Sequence, residues 1–139
     1  MEWRDEGVLL SVRPFGERDA LVTALTFEHG RHAGLVIAGR SRRTAPLLQP
    51  GNRLALGWRA RLESQLGHLA VEPQRLYAAL LVEDPLRLAA LASATDLLDA
   101  TLAEREPHPR LYAALLALLG RLAEAAADWP EAYVRFELL

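Results

Sequence analysis

Arg53-Leu54-Ala55-Leu56-Gly57-Trp58-Arg59-Ala60-Arg61-Leu62 alternates along its whole length. Leu54, Leu56, Trp58, Ala60 and Leu62 face one way and Arg53, Arg59 and Arg61 the other, which is the period of a half-buried strand. The same signature recurs elsewhere in the chain. Gly7 to Arg13 sets Val8, Leu10 and Val12 against Leu9, Ser11 and Arg13. Ala20 to Thr26 is a second β-rich run, followed by His29-Gly30, where glycine supplies the positive φ of a hairpin connection. Arg31 to Gly39 is a third strand and Gly67 to Leu76 a fifth. Five short strands punctuated by Gly and Pro predict a small barrel or sandwich.

The second half changes character. Asp84-Pro85 caps a helix whose Leu86, Leu88, Leu91, Leu97, Leu98 and Leu102 run on a helical period to about Ala103. Glu104 to His108 is a polar break, and Pro109 opens a helix with the stripe Leu111, Leu115, Leu118, Leu119 and Leu122, ending near Ala127. Asp128-Trp129-Pro130 starts a third, Glu131 to Leu139. The expected class is therefore α+β: a five-stranded barrel of the oligonucleotide-binding (OB) type over residues 1–78, then an α-helical domain over 79–139. The last helix stops on Phe136-Glu137-Leu138-Leu139 without a glycine cap or polar tail, so the helical domain is expected to be incomplete at its C-terminal end.

Composition narrows the chemistry. There is no cysteine, which excludes disulfides, thiolate zinc sites and cysteine nucleophiles. No apolar run reaches the length of a membrane span, and the charged start Met1-Glu2-Trp3-Arg4-Asp5-Glu6 is not a signal peptide, so a cytoplasmic protein is expected. The net charge of −2 hides an asymmetry. From Arg31 to Arg61 there are seven arginines and no acid, whereas residues 73–139 hold six arginines against ten acids. All basic residues other than histidine are Arg, a type suited to bidentate phosphate contact, although genomic base composition would produce the same bias.

The acid-free stretch supplies the candidate DNA-binding residues. Arg40, Arg42 and Arg43 crowd the turn Gly39-Arg40-Ser41-Arg42-Arg43, where flexible neighbours let the backbone approach several phosphates. Arg59 and Arg61 share strand parity and are expected to point outward together, with Arg53 on the same face and Arg31 extending the patch. Base-stacking platforms are scarce: Trp58 has core parity, and Phe27 and Trp3 are the remaining possibilities. His29 and His32, three apart, fall on opposite faces of a strand and make a poor metal pair. Glu17 and Asp19 share parity but read as turn and edge residues. No nucleophile–base arrangement or phosphate-cradling glycine loop is present, so neither an enzymatic activity nor a cofactor is expected.

Several motifs in order resemble the RecO family. They are Val8-Leu9-Leu10 leading to Arg13 and Gly16-Glu17-Arg18-Asp19; Leu25-Thr26 with Gly30-Arg31; Gly39-Arg40-Ser41-Arg42-Arg43; and Leu48-Gln49-Pro50-Gly51-Asn52. Downstream come Glu104-Arg105-Glu106-Pro107-His108-Pro109 with Leu111-Tyr112, and Tyr133-Val134-Arg135-Phe136-Glu137-Leu138-Leu139. The resemblance implies an OB-type barrel followed by helices. It also implies a recombination mediator of RecF-pathway DNA repair that binds single- and double-stranded DNA, anneals strands and pairs with RecR. Such a mediator contacts the C-terminal tail of single-stranded-DNA-binding protein, helps load RecA, and works in the nucleoid. Many members carry a cysteine zinc site beyond the region matched here, and without cysteine no zinc is expected in this chain. The competing reading is a protein-interaction module whose barrel has negligible DNA affinity, motivated by the acidic second half.

Overall fold

A computed structural model describes residues 1–124 and 127–138. Five strands close into a barrel: β1 (Glu2–Phe15), β2 (Asp19–Thr26), β3 (Gly30–Val36), β4 (Arg53–Arg59) and β5 (His68–Arg75). Their order around the ring is β1-β2-β3-β5-β4. All neighbours are antiparallel except β3 and β5, which close the ring in parallel through Leu35 opposite His68. A 3-10 turn (Ala45–Leu47) lies between β3 and β4. Helices α1 (Tyr77–Leu80), α2 (Pro85–Thr101), α3 (Pro109–Ala123) and α4 (Trp129–Glu137) follow. The α+β class and the OB-type strand order agree with the expectation.

Alternation on β1 serves two cores. Leu9 points into the barrel with Val22, Leu54, Leu56, Trp58 and Leu69. Val8 and Leu10 point outward and, with Leu25 of β2, pack under the helices against Leu91, Leu98, Leu115 and Leu119. Each fully buried Leu in these clusters stabilises the fold by about 1.5–3 kcal/mol. The helices therefore cover one side of the barrel and leave β4, β5 and the start of β1 exposed on the other.

Several polar fastenings join the halves, two of them made to backbone groups. Asn52 is buried. Its amide donates to the carbonyls of Pro46 (3.3 Å) and Leu47 (3.1 Å), and its Oδ1 accepts from Ala78 N–H at 3.0 Å. One side chain thus ties the 3-10 turn to α1. The second fastening is the α2–α3 loop. Arg105 N–H donates to Arg31 O at 2.8 Å, and a Cβ on Gly30 would lie 2.3 Å from Glu106 O. Gly30, at φ +67°, has no substitute there.

The element boundaries depart from expectation in places. β1 begins at Glu2 rather than Gly7, because its charged outer residues Glu2, Arg4 and Glu6 mask the alternation with Trp3 and Asp5. β3 ends at Val36; the chain then turns through Ala38, at φ 54°, instead of extending to Gly39. β4 ends at Arg59, so Arg61 lies in the β4–β5 loop and not on the strand face. On α2 the buried face is Ala90, Leu91, Ala94, Thr95 and Leu98, and Leu86 is 72% exposed. α1 had no signal beyond four residues of apolar chain. The expected run of α3 to Ala127 passes through positions 125 and 126, which lie outside the described residues, as does Leu139. Among the described residues no helix is long and apolar enough to cross a membrane.

Candidate nucleic-acid interface

Strand register builds a basic surface on the face away from the helices. Residues directly opposite each other across antiparallel strands share a face. Glu2, Arg59 and His68 form one row across β1, β4 and β5, and Arg4, Gly57 and Ala70 form the next. The inward-facing row between them is Trp3, Trp58 and Leu69. Small residues thus floor the centre of the outer face: a Cβ on Gly57 would meet nothing nearer than Ala70 Cβ at 4.0 Å. A groove of about 930 Å³ crosses this surface, bordered by Glu2, Arg4, Arg59 and His68 and reaching Ile37, Arg43 and Leu47 beyond β3. Three guanidiniums converge on it against one carboxylate, that of Glu2.

The loop carrying Arg43 is built to present its arginines. Ala38 N–H donates to Asp19 Oδ1 at 2.8 Å, Arg40 N–H to Arg18 O at 3.0 Å, and Thr44 N–H to Ser41 Oγ at 3.2 Å. Gly39 is pressed against the barrel, where a Cβ would lie 2.8 Å from Ala20 Cβ and 2.9 Å from Leu48 Cδ1. With the glycine inward, Arg40, Arg42 and Arg43 are left exposed.

The seven arginines expected at the interface separate into two groups. Arg43 and Arg59 border the groove, Arg42 stands exposed on the loop between, Arg40 lies on its far side, and Arg61 is exposed in the β4–β5 loop next to Arg59. Arg31 and Arg53 are elsewhere. Arg31 pairs with Asp99 (3.1 Å) and Glu104 (3.7 Å) of the helical half. Arg53 pairs with Glu6 at 2.7 Å; burial opposes its charge, but the Glu6 carboxylate outweighs burial and raises its pKa. Both arginines belong to the seam between barrel and helices. Arg4 and His68 were missed. The signal for Arg4 was the Glu2-Trp3-Arg4-Asp5-Glu6 alternation, legible once the first strand is started at Glu2.

An aromatic cluster lies beside the groove, which Trp3 and Trp58 help to line. Trp3 stacks on His29 with centroids 3.9 Å apart, and His32 meets Trp3 and Trp58 edge-on at 5.0 and 4.9 Å. His29 and His32 therefore flank one ring instead of parting to opposite faces. His29 Nδ1 lies 2.8 Å from Asp5 Oδ2. Burial, with the charges of Arg105 and His29, lowers the His32 pKa to about 4, so His32 is neutral at physiological pH. Trp58 is buried, as expected, and donates its indole N–H to Leu66 O at 3.0 Å. The Arg105 guanidinium sits 5.5 Å from the Trp58 ring and donates to the carbonyls of Glu63 and Gln65. The β4–β5 loop is thereby held from below by Trp58 and from the side by the helical half. Phe27 lies against Tyr112. Among the described residues no three His, Asp or Glu side chains group as metal ligands.

A family model described as Recombination protein O N terminal matches residues 1–77, more than half of the chain. The chain belongs to the RecO family. The model described as Recombination protein O C terminal matches residues 82–139. Curated relatives agree. The chain is 57% identical over 138 residues to the DNA repair protein RecO of Rhodospirillum centenum, covering 99% of this chain and 54% of the relative. It is 51% identical to those of Cereibacter sphaeroides and Roseobacter denitrificans, again over 99% of the chain and over 56% and 57% of the relatives. The chain thus spans about half the length of the curated RecO relatives it matches. The RecO family description and the relatives' names specify recombination and DNA repair and no catalysed reaction.

Proposed function

We propose that this chain binds DNA through the basic groove of its barrel, and that it acts as a recombination mediator in RecF-pathway repair. The carrying observation is the convergence of Arg4 from β1, Arg59 from β4 and Arg43 from the loop after β3 on one groove floored by Gly57 and Ala70. Guanidiniums on three separate elements reach successive phosphates of one strand, and a floor without side-chain bulk lets the backbone lie close. Arg40, Arg42 and Arg61 extend the positive surface. Contacts of this kind neutralise phosphates without reading bases, which suits annealing of unrelated sequences. Family membership supports the finer roles: pairing with RecR, contact with the C-terminal tail of single-stranded-DNA-binding protein, help in loading RecA, and work in the cytoplasm at the nucleoid. We place the boundary between DNA-binding barrel and helical domain at residues 78–79.

The competing reading, a protein-interaction module with negligible DNA affinity, draws on the neutralised pairs Arg31–Asp99 and Arg53–Glu6 and the net charge of −2. Titration of a fluorescent oligonucleotide at low and at moderate salt separates the two. Binding that weakens steeply with salt supports the groove; no binding at either salt supports the module.

A further inference from the structure

β3 pairs with β5 through one residue pair, Leu35 opposite His68, and then leaves the sheet at Val36, turning through Ala38. β5 runs on to Arg75 with β4 on one side of it. Its other edge is open, and the bond at its start shows which residues present that edge. Leu35 N–H donates to Gly67 O at 3.0 Å, so this carbonyl faces β3. Backbone groups alternate from there: those of His68, Ala70 and Glu72 face β4, and those of Leu69, Val71 and Pro73 face away from it. Pro73 agrees with this, since its missing N–H falls on the side where no ladder bond is lost. Beyond Leu69 the Val71 N–H and C=O therefore have no strand beside them, and among the described residues no other backbone bond reaches them.

The lane that β3 vacates is part of the large groove. Leu69, Val71 and Pro73 line it on the β5 side, and Ile37, Thr44 and Leu47 on the other. Ile37 is 66% exposed. We propose that an extended segment of a partner protein adds to the open edge of β5 in this lane as a further strand, with apolar and acidic side chains alternating along it. The Val71 N–H and C=O supply the backbone bonds of the pairing. Successive side chains of an added strand point to opposite faces. One set points inward, toward Leu47 and Val71, which pack on the barrel core, so apolar groups fit there. The other set lies toward the guanidiniums of Arg4, Arg43 and Arg59, which the groove sets against the single carboxylate of Glu2. Glu72 lies outside the groove lining, so acidic groups fit on that side. Pro73 offers no donor and keeps the added strand short. The edge is read by backbone in mid-chain, with no need of a terminal carboxylate. The proposal stands apart from the reading of the groove as a DNA site, since phosphates use its arginines and not the Val71 amide.

The probe is a synthetic peptide of about six residues, an ordinary strand length, alternating valine and glutamate and blocked at both ends. Amide hydrogen exchange of the whole chain, read by NMR, is compared with and without it. Saturating peptide is expected to slow exchange at Val71 at least about tenfold. Ala70, whose N–H already faces β4, should change little. Val71→Pro removes the donor without touching the β4 ladder and should weaken the peptide about tenfold, read by anisotropy of a labelled copy. Lysine in place of glutamate in the peptide should weaken it at least about tenfold as well. Circular dichroism checks that the proline variant folds, and the exchange measurement on the wild type stands without that variant. Absence of binding, or binding that leaves Val71 exchange unchanged, overturns the proposal. Equal binding of the lysine peptide overturns the acidic assignment. If an oligonucleotide binds and the peptide does not, the DNA site stands and the strand site falls.

Discussion

The Tyr112 hydroxyl of α3 donates to Glu6 Oε2 of β1 at 2.6 Å, across 106 positions of sequence. The same carboxylate oxygen accepts from Arg53 of β4 at 2.7–2.8 Å. One carboxylate thus joins two barrel strands to the helical half. Burial, and then the Glu6 carboxylate, push the Tyr112 pKa well above the usual phenol range, so the neutral hydroxyl is the form that donates. Tyr112→Phe is expected to destabilise the chain by about 1.5–3 kcal/mol, the cost of a lost hydrogen bond to a charged group. Urea denaturation measures this, and an unchanged midpoint would remove Tyr112 from the account of how the halves are joined.

Arg105 performs a similar task at the other end of the seam, at φ 61°, a conformation unusual for a side-chain-bearing residue. Its guanidinium covers Trp58 and holds the carbonyls of Glu63 and Gln65. Arg105→Ala should release the β4–β5 loop while the strands stay paired. Limited trypsin digestion after Arg61 should then run several-fold faster, with a shift in tryptophan emission. Cleavage at the wild-type rate would show that the loop is held by Trp58 alone.

His32 makes stability depend on acid. Its pKa is about 4 in the folded chain against 6.5 when unfolded, so the neutral ring is the folded form. Above pH 6.5 neither state binds the proton and the full stability is present. As pH falls from 6.5 toward 4 the unfolded chain takes up a proton that the folded chain refuses. Stability should fall across that window by about 3 kcal/mol. His32→Leu removes this contribution, so the pH dependence of the two proteins should diverge between pH 6.5 and 4. Parallel curves would contradict the burial argument.

The barrel was legible because its decisive signal is local. Leu54, Leu56 and Trp58 alternate within one strand, and Gly30 marks a turn by its own backbone. The loop arginines were legible for the same reason, since Gly39 to Arg43 carries its geometry in five consecutive residues. Arg31 and Arg53 were not. The stretch around them is free of acids along the chain, but Asp99, Glu104 and Glu6 arrive from other elements and pair with them in space. Charge patterning in sequence reads neighbours on the chain and is blind to partners that the fold supplies. Arg4 was hidden by the opposite effect: acids beside it in sequence obscured a strand face on which it stands next to Arg59.

Arg43 and Arg59 are proposed to neutralise phosphates in the barrel groove. The decisive measurement is the slope of log affinity against log salt for a single-stranded oligonucleotide, on the wild type and on Arg43→Ala with Arg59→Ala. The double variant should bind more weakly, with a slope flattened by about one to two units, because each lost contact releases about one counterion fewer. A slope identical to the wild type's would contradict it.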